Sequence, residues 1–164
     1  MMGVGKSTIG KKLSKKLKLK FIDIDPIIEQ EEKTTIKEIF KNKGESYFRR
    51  IEKKITLEEL KKNNLVIALG GGAFTSTTIR REIKNSCISF WLDLSLKLLI
   101  PRLKNSRKRP LLNQDGLEKS INKIYSERKK TYNESDYKIR CNSMDKNEIV
   151  DNIIKLYESA RNKN

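Results

Sequence analysis

Residues 3–8, Gly-Val-Gly-Lys-Ser-Thr, constrain the fold of this chain more than any other stretch. Two glycines permit a tight turn whose backbone N–H groups converge on one point. A lysine and a hydroxyl follow at the head of a run with Ile9, Leu13 and Leu17 on one stripe, the spacing of an amphipathic helix. This is the second half of the phosphate-cradling pattern G-x-x-x-x-G-K-[ST], in which the lysine reaches phosphate oxygens and the hydroxyl a magnesium ion. Such a turn works only between a buried strand and a helix whose positive end faces the same anion, so it demands an α/β chain. Five residues back from Gly5, the pattern's first glycine would fall one place before Met1. That register predicts a clipped start, with roughly ten more residues, a strand and its lead-in, in the functional form. Without that strand its neighbours lose a partner, and weak folding or weak activity is the expectation.

The rest of the chain alternates as the turn requires. A basic helix is predicted over 7–19, then a short strand, Phe21-Ile22-Asp23-Ile24-Asp25, ending in carboxylates, with Pro26 starting a helix. Residues 34–62 read as two helices broken near Gly44, with Phe48, Ile51 and Ile55 on one face of the second. The continuous apolar run 65–69 fits a buried parallel strand and leads into Gly70-Gly71-Gly72. A Ser/Thr cluster at 75–78 is placed to cap a helix to about Lys84. A strand follows over 87–92, a helix over 95–104 strained by Pro101, and a polar, basic loop over 105–116. A charged helix over 117–133, a strand over 137–141 and a capped helix beginning at Asp145, with Glu148 completing a capping box, end the pattern. Ile149, Ile153 and Leu156 stripe that last helix. The expected fold is a three-layer arrangement, a parallel sheet flanked by helices in a single domain over 1–164, lacking its first strand. Ligands in such sheets sit at the carboxyl ends of strands, where Gly3–Ser7, Asp23 with Asp25, and Gly70–Gly72 would converge. Asp23 and Asp25, one residue apart on a strand, would point to the same face.

Composition narrows the chemistry. There is no histidine, which removes imidazole acid–base catalysis and most zinc sites; any metal should be hard and oxygen-bound. The two cysteines, Cys87 and Cys141, sit in apolar strand patterns and read as inert core thiols. The net charge of +16 admits a nucleic-acid-binding module as a competing class. However, the lysines are scattered over most helices with no aromatic-interleaved stripe, so anionic small molecules are the expected partners and nucleic acid is not. No apolar run approaches the ~20 residues of a membrane span and no signal segment opens the chain; the expectation is a cytoplasmic protein.

Six blocks in order, G-V-G-K-S-T, F-I-D-I-D-P-I-I-E, G-E-S-Y-F-R-R-I-E, A-L-G-G-G-A, R-P-L-L and Y-S-E-R-K-K-T-Y, resemble the shikimate kinases from end to end apart from the first strand. The resemblance implies a P-loop kinase fold and transfer of the γ-phosphoryl of ATP to the 3-hydroxyl of shikimate, on the route to chorismate and aromatic amino acids, by a monomer. It implies that Gly3, Val4, Gly5, Lys6, Ser7 and Thr8 cradle the phosphates. Ser7 and Asp23 would hold Mg²⁺, and Asp25 would orient or deprotonate the acceptor hydroxyl. Arg49 and Arg128 would grip the substrate carboxylate, for which a guanidinium fork is suited, with the Gly70, Gly71 and Gly72 amides close by. Residues 26–62 would form a helical substrate-binding insertion and 105–116 a lid, from which Arg109 would approach the transferring phosphoryl group. Arg107 and Lys108 would be general basic residues of that lid and Arg50 an exposed neighbour of Arg49. Arg102 would pack on the adenine, where Asn147 stands in for the proline frequent in the family. A gluconate-kinase-like enzyme is the nearest alternative; it would not need both arginines beside Gly70–Gly72.

Overall fold

The computed structural model describes residues 2–104 and 116–162. Among these residues four short strands are present, β1 (Lys20–Asp23), β2 (Leu65–Ala68), β3 (Phe90–Asp93) and β4 (Tyr137–Arg140). Seven helices accompany them: α1 (Lys6–Leu17), α2 (Ile24–Glu32), α3 (Ile36–Leu60), α4 (Thr77–Ser86), α5 (Leu96–Lys104), α6 (Leu117–Tyr132) and α7 (Lys146–Arg161). All strand pairing is parallel: Lys20 opposite Leu65 through Asp23 opposite Ala68, and Phe90 opposite Tyr137 through Asp93 opposite Arg140.

The single sheet expected from the sequence is instead two parallel pairs, β1–β2 and β3–β4. Among the described residues β2 pairs only with β1 and β3 only with β4, and both inner strands line one cavity of about 670 Å³. Backbone groups on an edge that finds no partner cannot join a ladder, and this divides the sheet. Apolar side chains, among them Leu13, Val66, Phe74, Trp91 and Ile153, line the cavity.

The main core joins α1, β3, α5, α6, β4 and α7 through Ile9, Leu13, Trp91, Leu99, Ile121, Ile139 and Val150. A second cluster, Ile24, Ile28, Ile39, Phe48 and Ile55, closes α2 on α3. A third, Leu60, Ala73, Ile79 and Ile83, ties the end of α3 to α4. No helix among the described residues is long and apolar enough to cross a membrane.

Several boundaries differ from expectation for local reasons. β1 stops at Asp23, and α2 begins at Ile24, so Asp25 and Pro26 lie in the first helical turn rather than on or after a strand; an acid and a proline are both favourable there. The break expected near Gly44 is present: its φ of 79° and ψ of 172° leave the helical region and divide α3 into two helical arms. A side chain there would meet no atom within 4 Å, so the glycine is needed for its backbone angles alone. The expected Ser/Thr cap is absent: Ser76 precedes α4 without a side-chain cap bond; separately, Arg80 donates to the carbonyls of Phe74 and Thr75. Cys87 is not in a strand but follows α4 at its C-cap, half-buried. Pro101 is accommodated inside α5. Two capping boxes, Thr35 with Glu38 and Asp145 with Glu148, start α3 and α7.

Candidate active site

The glycine turn before α1 has the backbone that its sequence requires. Gly3 and Gly5 have φ of 74° and 92°, left-handed values that disfavour any side chain. A Cβ at Gly3 would also lie 2.8 Å from Leu103. Met2 and Val4 are buried in the main core and anchor the turn. Lys6 opens α1, and Ser7 and Thr8 are exposed at its positive end, where the first amide groups of a helix lack internal partners. The Ser7 hydroxyl donates to the Asp23 carboxylate at the end of β1. The turn and the acidic strand end are therefore in direct contact, as the sequence predicted.

Two residues beyond Asp23, the Asp25 carboxylate leans toward the first glycine of the G-G-G run: a Cβ built on Gly70 would be 3.1 Å from Asp25 Oδ1. The same Cβ would be 2.2 Å from Glu52 Oε1, and one on Gly72 would be 2.4 Å from Arg49 Nη1. Gly70 and Gly72 thus admit the close approach of side chains that any other residue would block. Arg49 itself is clamped, its Nη1 donating to Glu52 Oε2 at 2.6 Å and its Nη2 to Glu45 Oε1 at 3.0 Å. Its guanidinium also lies over the Phe48 ring, 5.0 Å from the centroid, an aromatic–cation contact. From the opposite side Arg128 Nη1 donates to the Gly71 carbonyl at 2.6 Å, and the Tyr132 hydroxyl donates to that same carbonyl. The predicted residues Asp25, Arg49, Gly70, Gly71, Gly72 and Arg128 therefore meet in one cluster.

Two residues of this cluster had no role assigned from sequence. Glu52 is only 2% exposed and occupies the centre. Burial pushes its carboxyl above the ordinary range, Arg49 and Arg128 oppose that shift, and the nearby Asp25 adds to it. Its signal was present: it falls on the apolar face of its helix between Phe48 and Ile55, where an unpaired carboxylate would be costly. Tyr132 lies four residues after Arg128, hence on the same helical face, and burial raises its hydroxyl pKa.

Other predicted residues stand apart. Arg102 is exposed on α5. Asn147 is exposed in the first turn of α7 and accepts from Lys12 Nζ at 3.0 Å. Arg50 is exposed and stacks at 5.0 Å on Tyr47. Arg107, Lys108 and Arg109 lie outside the described residues, as does the expected lid apart from Gly116. No group of three or more Asp, Glu or Cys side chains that could hold a metal by themselves occurs among the described residues.

A phosphate-cradling turn contacting an acid-ended strand, beside two arginines aimed at a triple glycine, is a specific combination. Comparison with known proteins bears on the chain as a whole. The family profile for shikimate kinase matches residues 2–158. The chain belongs to the shikimate kinase family. It is 41% identical over 153 residues to a shikimate kinase of Sulfurihydrogenibium, covering 93% of this chain and 91% of that one. It is 40% identical to that of Persephonella marina, covering 93% and 92%. Among solved structures it resembles shikimate kinase from Acinetobacter baumannii in complex with shikimate, with a TM-score of 0.92 and 31% identity over 97% of this chain and 89% of that one. The fold is that of the P-loop kinases. The activity is ATP-dependent phosphorylation of shikimate, a step of aromatic amino acid biosynthesis.

Proposed function

We infer that Asp25, Arg49 and Arg128 form the acceptor site and that residues 3–8 with Asp23 form the phosphate and metal site of this reaction, which gives shikimate 3-phosphate and ADP. The observation that carries this is the continuous path from Ser7 to Asp23 to Asp25 and on to Gly70. That proximity of Asp25 to the phosphate turn and to the glycines that Arg49 and Arg128 approach supports reading it as the acceptor-orienting group.

The division of labour follows from residue chemistry. The amides of Gly3–Thr8 and the Lys6 ammonium meet the phosphate oxygens. The Ser7 hydroxyl and the Asp23 carboxylate already touch; two adjacent hard oxygens suit Mg²⁺, which takes few protein ligands and fills its shell with phosphate and water. When bound, the ion neutralises charge on the transferring group. Asp25 accepts a hydrogen bond from the 3-hydroxyl and orients it for in-line attack. Arg49 and Arg128 hold the carboxylate at the far side of the ring, and the glycine amides complete the contact. Arg109 offsets charge on the phosphoryl group, while Arg102 and Asn147 flank the adenine. We further propose that residues 1–164 act as one monomeric cytoplasmic domain, with 26–62 as its substrate-binding insertion and 105–116 as its lid, and without a nucleic-acid partner.

The test is ADP release from Mg·ATP with and without shikimate, the product being identified by mass. Shikimate-dependent ADP with a phosphorylated product is expected. A folded protein that releases ADP equally without shikimate, or that prefers gluconate, would overturn the assignment.

A further inference from the structure

Gly71 presents one backbone carbonyl to two donors. Arg128 Nη1 donates at 2.6 Å, and the Tyr132 hydroxyl donates to the same oxygen. A carbonyl oxygen has two lone pairs, so the pair of donors saturates it. The two donors are anchored very differently. Arg128 is half-buried, on a long and flexible stem. Tyr132 is 5% exposed, with its ring 5.8 Å from Trp91 and 6.4 Å from Phe74, and Phe74 belongs to the short helical turn directly after the glycines.

We propose that Tyr132 is a positioning residue of the acceptor site, holding the Gly71 carbonyl so that Arg128 can turn its guanidinium to the substrate carboxylate. This rests on the assignment of Arg128 above. With the hydroxyl in place, a shift of Arg128 toward a carboxylate leaves the carbonyl still bonded. Without it, Arg128 is the carbonyl's remaining donor of the two, and the substrate must compete with the backbone for one guanidinium. The fixed ring also ties the glycine run to β3 through Trp91, the only tryptophan of the chain, so the site carries its own fluorescent reporter.

The experiment uses the full chain and Tyr132→Phe, which keeps the ring and removes the hydroxyl. The expected result is a KM for shikimate raised about 5- to 20-fold, the range for losing one hydrogen bond to a buried group, with the KM for ATP and kcat changed less than about twofold. Trp91 emission, titrated with shikimate alone, should show the same weakening. In an Arg128→Ala background the added Tyr132→Phe change should have almost no effect on the KM for shikimate, because the hydroxyl acts through Arg128. An unchanged KM in the single variant overturns the proposal. So does a parallel rise in both KM values, which marks a merely structural role. If wild type shows no shikimate-dependent turnover, the functional assignment fails separately, and hydrogen exchange then decides on the hydroxyl. Amides 70–74 should exchange faster in the ligand-free Tyr132→Phe protein, and unchanged exchange sinks the idea.

Discussion

At Gly70–Gly72, side chains from α2, α3 and α6 close on backbone that offers no Cβ, and each guanidinium is already hydrogen-bonded before any ligand arrives. At Gly3–Ser7 the backbone itself makes the shape through two left-handed glycines, and Ser7 and Thr8 face solvent. A pocket made from paired charges selects by matching one carboxylate, and it fails when a single partner is lost. A loop made from amides accepts any phosphate chain of the right reach and depends on φ angles rather than on neighbours. On the proposed assignment, selectivity belongs to the first region, and chemistry common to many nucleotide-binding proteins belongs to the second.

Substitutions can separate the two. Lys6→Ala should have the largest effect, lowering kcat about 10²- to 10³-fold, the scale of removing one preorganised charge donor, while the KM for shikimate stays near wild type. A matching rise in the shikimate KM would show that the two regions are not separable. Arg49→Ala should raise the KM for shikimate about 10- to 150-fold, since a bond to a charged group is lost, with the KM for ATP almost unmoved; equal effects on both would remove Arg49 from the acceptor site. Glu52→Gln sharpens the comparison through pH. The folded Glu52 carboxyl titrates above its unfolded value, chiefly because it is buried. Between those two values the folded state binds more protons, so the stability linked to Glu52 is full at low pH and fades as pH rises through the folded value. The melting temperature of wild type relative to Glu52→Gln should therefore fall as pH rises from about 4 toward neutrality; a difference that grows with pH would contradict the assigned direction. Thr35→Ala, which removes the cap of α3, should have the smallest effect, about 1 kcal/mol of stability seen as a few degrees of melting temperature, with both KM values unchanged.

How far the sequence revealed this site varies with the physics involved. The glycine turn, the acid-ended strand and the triple glycine each depend on local chain chemistry, and all three were readable. Asp25 was assigned to the right cluster on partly wrong grounds: its position comes from the first turn of α2, not from strand alternation. Glu52 and Tyr132 were missed as participants because their importance depends on which groups surround them after folding. The division of the sheet was foreshadowed only as strands left without a partner; which strands pair is a matter of long-range contact that a run of apolar residues does not encode. Helix starts show the same split: the Asp145 box was readable from its spacing, whereas Ser76 precedes α4 without a side-chain cap bond.

The bend at Gly44 carries a further consequence. Phe40 and Phe48 stand eight positions apart, about 12 Å along a straight helix at 1.5 Å per residue, yet their ring centroids are 4.8 Å apart. The break at Gly44 turns the second arm out of line with the first, and Arg49 follows only five positions later. The direction from which that guanidinium reaches the glycines is thus set by two dihedral angles remote from any ligand. A substitution at Gly44 that moves the backbone off these angles should re-aim the arm that carries Arg49 without replacing a single contact residue.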